Sequence, residues 1–216
     1  MIHDPGPDPS KFHPGVDGIS VRKEFGLDQD TFLVTLVAKL ADRKGHETLI
    51  RAIPQVLAAF PDTYFMIVGG GLDGDHHREY ARGLKSLPRE LGVGEKVIFT
   101  GFRSDIPQIM AASDIITHCS TYPDPFPGVV LQGMALGKPV IASNLGGPRE
   151  QIKDQVSGLL VEPGNPTALA EAICSLLEDE EKRASLGKAA ASRAKSTFTS
   201  DLYFQKLSNL YERLIS

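Results

Sequence analysis

Three positively charged side chains occur within one short segment of the sequence, at Lys39, Arg43 and Lys44, directly after an apolar run. Basic residues grouped in a loop are suited to binding an anion such as a phosphate. An ammonium about 4 Å from a phosphate oxygen contributes roughly 4 kcal/mol at an effective dielectric constant of 20. On spacing alone, however, a loop lysine is more often a solvated surface charge. Lys39 and Lys44 are therefore candidate anion ligands that need support from a second group.

Backbone amides after a proline-rich turn form a second candidate anion site. The turn 122–127 cannot continue a strand or a helix, and the apolar segment 128–136 that follows it is compatible with a helix. We expect the first free amides of that helix at Gly128, Val129 and Val130, where the helix dipole favours an anion. The dipole contributes about 0.3 to 1 kcal/mol when exposed and about 2 kcal/mol when partly buried. The lysines should therefore carry most of the affinity, and the amides should fix the anion's position.

Three polar residues near this turn have ordinary explanations as well as functional ones. Asp124 stands beside prolines, where an aspartate most often caps a turn or a helix. Gln132 taken alone is an ordinary helix residue. His118 ends a predicted strand, and such a histidine is more often a satisfied core residue than a catalyst. The residues by themselves leave these alternatives open.

The glycine-rich segment 69–74 matches the dinucleotide fingerprint G-x-G-x-x-G. The match is weak, because the segment follows the second predicted strand rather than the first, and Asp73 and Asp75 would repel a pyrophosphate. A flexible glycine turn is the favoured interpretation, and a dinucleotide-dependent oxidoreductase is kept as an alternative. No cluster of His, Cys, Asp and Glu has metal-ligand spacing, so we expect no metal site.

The composition is that of a globular protein without a general basic character. The chain has 216 residues, of which 41% are hydrophobic, and this is enough to bury a full core. A net charge of -4 disfavours nucleic acid as the main partner, so any anion site must be local. Cys119 and Cys174 are expected to be reduced thiols, which suits a cytoplasmic protein. No apolar run approaches the roughly 18 residues that a membrane span needs.

Strand-like runs alternate with segments of helical periodicity along the chain. The predicted strands are 32–37, 64–68, 97–100, 115–118, 139–142 and 158–161. The predicted helices are 47–60, 77–91, 104–112 with Ser104 as N-cap, 128–136, and 166–177 with Asn165 as N-cap. This alternation predicts an α/β fold with a doubly wound parallel sheet of Rossmann-like type and helices on both faces. Two further amphipathic helices, 180–198 and 200–215, would follow it.

The predicted sheet would bring the candidate groups together. Loops that follow parallel strands meet at the carboxyl edge of the sheet, where such folds bind their ligands. The lysine segment, the glycine turn and the proline-rich turn each follow a predicted strand. Residues 1–16 are rich in proline and glycine and read as an interdomain linker, so residues 17–216 would form one domain with something before it.

Several motifs in a consistent order make the chain resemble a known family. The motifs are PDPSKFHP, AKLADRKG, IVGGG, VIFTGF, DPFPGVVLQGMALGKPVIAS and GGPREQIKDQVSGLLVEPGNPTALAEAI. Together they resemble the C-terminal, donor-binding domain of retaining glycosyltransferases with two Rossmann-like domains, the GT-B enzymes of the glycosyl transferases group 1 family. AKLADRKG is similar to the family's Gly-Arg-x-x-x-x-Lys-Gly loop. DPFPGVVLQ is similar to its pair of glutamates separated by seven residues.

The resemblance implies a role for each matching residue. Lys39 and Lys44 would bind the diphosphate of a nucleoside diphosphate sugar, and Phe102 and Arg103 would lie near its base. Asp124, in place of the first glutamate, would accept hydrogen bonds from the donor sugar. Gln132, in place of the second, would bind the ribose hydroxyls, with the helix amides on the phosphate. No cofactor is implied, since the nucleoside diphosphate sugar is the donor substrate.

Four departures from the family's pattern weaken the implied site. Lys39 replaces an arginine and so lacks the bidentate fork. Ala38 replaces a glycine. Pro127 and Gly128 shift the position of a glycine that usually follows the first acid. Gln132 removes a charge, which would weaken ribose binding by on the order of 1 kcal/mol. A non-catalytic sugar-nucleotide binding module is therefore the second reading of the chain.

The implied activity is transfer of a glycosyl group, with retention at the anomeric carbon, from a nucleoside diphosphate sugar to an acceptor hydroxyl. The family's N-terminal acceptor domain is absent from these residues, so we expect donor binding with little transfer. Polysaccharide or glycolipid assembly is the family's usual setting, and any peripheral membrane contact would come through the missing domain. The helices in 180–216 are expected to pack against that domain. The sequence does not identify the base, the sugar or the acceptor.

Overall fold

A computed structural model describes residues 5–71 and 74–215 of the chain. Within these residues a sheet of six parallel strands has the order β3-β2-β1-β4-β5-β6. The strands are β1 (Phe32–Val37), β2 (Thr63–Val68), β3 (Val97–Gly101), β4 (Ile115–His118), β5 (Val140–Ser143) and β6 (Leu159–Val161). The order reverses between β1 and β4. The predicted doubly wound, Rossmann-like α/β fold is confirmed, with strand limits within about a residue of those expected from the apolar runs.

The helices alternate with the strands. They are α1 (Ile19–Glu24), α2 (His46–Ala59), α3 (Asp75–Glu90), α4 (Ile106–Ala112), α5 (Gly128–Ala135), α6 (Pro148–Gln151), α7 (Pro166–Glu178), α8 (Glu180–Thr197) and α9 (Ser200–Ile215). Three-residue 3₁₀ turns occur at Asp42–Lys44 and Gly94–Lys96. The short helices α1 and α6 were not predicted, because six and four residues are too few to display a helical period.

Both faces of the sheet are covered by helices. On one face, strand residues such as Val34 and Phe65 pack against α2 and α7. On the other face, Leu33 and Met66 pack with α1 and α4, and Ile116 packs with α5 and α8. Successive strand residues thus point to opposite faces, and each side buries its own apolar cluster.

The two predicted helix caps have different outcomes. Asn165 caps α7 as predicted, since its side-chain oxygen accepts a hydrogen bond from the Ala168 amide at 3.0 Å. The prediction for Ser104 was wrong, because α4 begins at Ile106 with Asp105 as its N-cap residue and has no side-chain cap. The Asp105 carboxylate is bound instead by Arg103.

The segment before the sheet and the helix at the far end differ in their packing. The amide of Gly6 donates a hydrogen bond to the carbonyl of Phe198 at the end of α8, and Phe12 packs against the cluster around α5. By contrast, no residue of α9 is buried.

None of the helices in the described residues has the length and apolar character to cross a bilayer. Cys119 and Cys174 are both free thiols.

Candidate donor site

A cleft of about 420 Å³ lies at the carboxyl edge of β1 and β4, where the strand order reverses. This is the place at which open α/β sheets bind their ligands. The loop after β1 forms one wall and the loop after β4, together with the start of α5, forms the other. Its lining includes Lys39, Lys44, Asp124, Gly128 and Val129. The cationic loop and the helix terminus that the sequence singled out therefore face one shared space.

Gly45 allows the two walls to approach each other closely. It has a left-handed backbone, with φ of 69°, and a Cβ at this position would collide with the carbonyl oxygen of Cys119. The neighbouring Arg43 carbonyl accepts a hydrogen bond from the Thr121 amide at 2.9 Å. The loop after β1 is thus fixed against the loop after β4 by backbone contacts, and a glycine is required at the contact.

Lys44 and Asp124 form an ion pair across the cleft. Lys44 Nζ lies 2.6 Å from Asp124 Oδ2, and the side chains are 26% and 18% exposed. His118 Nε2 lies 3.6 Å from the same oxygen. The pKa of Asp124 lies well below its usual value, with His118 as the largest cause and Lys44 as the next, against the opposing effect of burial. Since 3.6 Å is longer than a hydrogen bond, Lys44 is the direct partner and His118 acts as a near neighbour.

Lys39 and Arg43 add further positive charge to the same cleft. Both side chains are exposed, and neither has a hydrogen-bond or ion-pair partner within the part of the chain that the structure describes. Together with Lys44 they place three cationic groups around a cleft whose lining has one carboxylate, that of Asp124. This local excess of positive charge suits an anion even though the chain as a whole is acidic.

The start of α5 offers two backbone amides rather than the expected three. The Val130 amide donates to the Pro127 carbonyl at 3.2 Å, so it is not available to a ligand. Pro127 is the N-cap residue and has no amide hydrogen of its own. Gly128 and Val129 line the cleft, and a Cβ at Gly128 would meet only open space. The amides of Gly128 and Val129 are therefore the donors left at this helix terminus.

A bracket formed by Gly146, Gly147 and Gln151 holds the proline-rich loop in place. The Gly147 amide donates to the Asp124 carbonyl at 2.8 Å, and a Cβ at Gly146 would lie 2.6 Å from that same oxygen. The buried Gln151 side chain donates to the Pro127 carbonyl at 3.1 Å. This bracket was not predicted from the sequence. The sequence signal for it is the Gly-Gly-Pro run after β5, which lets the two loops touch and then starts a short helix.

Phe102 and Arg103 follow the turn at Gly101 and have different environments. Phe102 is 83% exposed, and it lies beside Gly70 of the neighbouring loop. Arg103 is bound by Glu24 and Asp105, which raise its pKa, with Glu24 the larger cause. Its guanidinium thus fastens the loop after β3 to α1. A role for either residue near a nucleotide base stays a prediction, and Arg103 is not a free cation.

Gln132 lies one turn inside α5 and is half-buried. Its side chain has no hydrogen-bond partner among the described residues, and Gln132 does not line the cleft. Its role toward a ribose stays a prediction. Of the glycine segment 69–74, residues 72 and 73 lie outside the described residues, as does the side chain of Asp75. No group of three His, Cys, Asp or Glu side chains able to hold a metal occurs among the residues the structure describes.

The fold and this cleft define an α/β protein of the GT-B glycosyltransferase type. The family described as glycosyl transferases group 1 matches residues 19–193, and the chain belongs to that family. The recognition made from the motifs, a C-terminal GT-B domain, is thereby confirmed, as is the enzyme class of its family.

Relatives with known names agree with this assignment. An uncharacterized glycosyltransferase of Methanocaldococcus jannaschii, MJ1607, is 35% identical over 74% of this chain and 40% of its own length. A GDP-mannose-dependent phosphatidylinositol monomannoside mannosyltransferase of Corynebacterium glutamicum is 30% identical over 96% of this chain and 54% of its own length. Among solved structures, Anabaena HepE in complex with UDP and glucose has a TM-score of 0.89 and 32% identity, covering 98% of this chain and 56% of HepE. The chain spans about half the length of the curated relatives it matches.

Proposed function

We propose that this chain binds the nucleoside diphosphate sugar donor of a retaining glycosyltransferase. The observation that carries the proposal is the Lys44–Asp124 pair beside the amides of Gly128 and Val129, at the switch point of the sheet. A cation and free amides suit a diphosphate, and a carboxylate next to them suits sugar hydroxyls. Structures of the similar HepE hold UDP and UDP-glucose, which supports a donor of this chemical class.

The proposed chemistry needs charge stabilisation more than it needs proton transfer. As the bond between the anomeric carbon and the diphosphate breaks, the sugar gains oxocarbenium character and negative charge grows on the diphosphate. Lys39, Lys44, Gly128 and Val129 line the cleft, and their ammonium groups and amides would stabilise that charge. Asp124 would accept hydrogen bonds from the sugar hydroxyls and hold the sugar beside the acceptor hydroxyl, which bonds to the anomeric carbon while its proton passes to the departing diphosphate. Binding of the acceptor and retention of configuration at the anomeric carbon are proposed for the whole protein.

The acceptor side would come from a further domain. Helix α9 carries exposed apolar side chains, at Phe204, Leu210, Tyr211, Leu214 and Ile215. Such a helix face is expected to be covered in the full protein, and we propose the N-terminal acceptor domain as its cover. Two free cysteines fit a cytoplasmic protein, and assembly of a polysaccharide or glycolipid is the proposed setting.

A ligand panel tests the donor-binding proposal. Thermal unfolding of the chain would be measured with UDP, GDP, UDP-glucose, GDP-mannose and NAD. A ligand present at about 100 times its dissociation constant adds about 2.7 kcal/mol to the free energy of unfolding. For a chain of this size that corresponds to a rise in Tm of about 5 to 10 °C. A rise with uracil or guanine nucleotides and none with NAD is expected. A rise with NAD alone would favour the oxidoreductase reading and overturn the proposal.

The neutral side chain of Gln132 favours a second candidate function, a sugar-nucleotide binding module without transferase activity. The test is to join the chain to its natural N-terminal half and compare Gln132 with Gln132→Glu. If the module reading is right, the natural sequence binds donor without transfer or hydrolysis, and the substitution increases donor affinity about fivefold. Measurable transfer by the natural sequence would exclude this second candidate.

A further inference from the structure

The buried side chain of His118 lies next to the carboxylate of Asp124. His118 is the last residue of β4 and is 5% exposed. Its Nε2 lies 3.3 Å from Ser120 Oγ and 3.6 Å from Asp124 Oδ2. Its Nδ1 is buried and has no partner among the described residues. An apolar residue would fill this space without leaving a buried polar atom unsatisfied, so packing alone does not account for a histidine here.

Two anions compete for the single ammonium of Lys44. In the structure Lys44 is bound by Asp124 at 2.6 Å. The proposed donor carries a diphosphate, which has more negative charge than one carboxylate and would draw Lys44 toward itself. Asp124 would then lose its direct partner at the moment when its carboxylate has to face the sugar. The group already next to Asp124 Oδ2 and able to replace Lys44 is the His118 imidazole.

We propose that His118 is a positioning residue that takes over the Asp124 carboxylate from Lys44 when the donor binds. The inference rests on the proposed donor-binding function and deepens it. A shift of less than about 1 Å would bring Nε2 and Oδ2 into hydrogen-bond distance. A proton on Nε2 would be donated to Asp124, while the carboxylate oxygens keep lone pairs for the sugar hydroxyls. His118 therefore contributes to binding of the sugar part of the donor and not to binding of the nucleotide part.

The neighbours of His118 are partly charged and partly apolar. Asp124 faces it at 3.6 Å, and Lys39, Arg43 and Lys44 line the same cleft. Cys119 follows it in the chain, and burial raises the pKa of that thiol to about 12. On the adjacent strand β5, its register partner is the apolar Ala142. Among these neighbours, the imidazole is the group that lies close enough to replace Lys44 at Asp124 Oδ2.

The test compares nucleotide with sugar nucleotide on the same variants, by calorimetry of this chain. UDP and UDP-glucose would be used, or GDP and GDP-mannose if the wild type prefers guanine. His118→Leu is expected to weaken the sugar nucleotide about fivefold to tenfold and the free nucleotide by less than about twofold. His118→Gln, whose amide can donate from a similar position, is expected to restore most of that affinity. Equal losses for both ligands, or no loss for either, would overturn the inference.

Rescue by His118→Gln separates positioning from a merely structural role, because the leucine and the glutamine fill a similar space and only the amide can donate a hydrogen bond to Asp124. Equal affinities of His118→Gln and His118→Leu for the sugar nucleotide would contradict the inference. A wild-type chain that bound neither sugar nucleotide would instead refute the proposed function and the inference together, so the two failures are distinguishable.

Discussion

Lys44 Nζ and Asp124 Oδ2 lie 2.6 Å apart although the two residues are 80 positions apart in the sequence. The contact joins the loop after β1 to the loop after β4, across the point where the strand order reverses. The fold therefore places a candidate phosphate ligand and a candidate sugar ligand in direct contact. The two charges neutralise each other in this structure, so Asp124 would compete with a phosphate for the Lys44 ammonium.

Removing the charge of Asp124 should free Lys44. Asp124→Asn is expected to bind UDP or GDP about fivefold more tightly than the wild type, because the competing carboxylate is gone. The corresponding sugar nucleotide should gain less or bind more weakly, since the sugar loses a charged acceptor. Calorimetric titration of both ligands measures the difference. Parallel gains for nucleotide and sugar nucleotide would argue against any contact between Asp124 and the sugar.

The contact at Gly45 can be tested with a matched glycine. Gly45→Ala should destabilise the chain by about 3 kcal/mol or more, because the left-handed backbone is strained and the new methyl group meets the Cys119 carbonyl. Gly26→Ala has a similar φ of 64° and no atom nearby, so it should cost only about 1 kcal/mol. Urea unfolding measures both values. Similar costs for the two variants would show that backbone strain, not the close approach of the loops, is what Gly45 provides.

The contact between Gly147 and the proline-rich loop can also be tested with an alanine substitution. Gly147 has an ordinary helical backbone, with φ of -57°, so the cost of an alanine there comes from its collision with the backbone of Pro125 and Phe126. Gly147→Ala is expected to cost about 2 kcal/mol and to weaken donor binding. Gly83→Ala, within α3 and surrounded by open space, should instead add about 0.5 to 1 kcal/mol. A stable Gly147→Ala with unchanged affinity would mean that the bracket does not position Asp124.

His46 should make stability fall as the pH is lowered. Burial holds its pKa at about 4, below the usual 6.5. Above pH 6.5 both folded and unfolded states have a neutral imidazole, whereas between 6.5 and 4 only the unfolded state takes up the proton. Stability is therefore lost as the pH falls through this window, by about 2 kcal/mol between pH 7.5 and pH 5. Urea unfolding at both pH values measures this loss. The free energy of unfolding of His46→Asn should fall by about 2 kcal/mol less than that of the wild type, and the control His13→Gln should behave like the wild type.

The fold followed from the sequence because it depends on local patterns. Short β-branched runs and helical periodicity gave the strands and the long helices, and the parallel order placed their loops at one edge. Helices α1 and α6 were missed because they are too short to show a period. The cap predicted at Ser104 failed because α4 begins two residues later, at Ile106, and the carboxylate of its N-cap residue Asp105 is bound by Arg103.

Local sequence patterns also predicted part of the candidate site. Lys44, Asp124 and the start of α5 were found because each stands in a recognisable local motif. What His118 and Gln151 do depends on residues brought near them by the fold, such as Asp124 and Pro127. Neither residue type nor spacing carries that information. His118 was therefore weighed as a core histidine, and Gln151 was not singled out at all.

The affinity of Lys44→Ala for UDP or GDP tests the central claim most directly. The account predicts a loss of about tenfold to a hundredfold, because the variant lacks the ammonium that would bind the phosphate and keeps the negative charge of Asp124 beside it. Lys188→Ala, an exposed lysine on α8 that does not line the cleft, should bind like the wild type. If Lys44→Ala folded normally and bound the nucleotide as tightly as Lys188→Ala, the cleft between β1 and β4 would not be the diphosphate site.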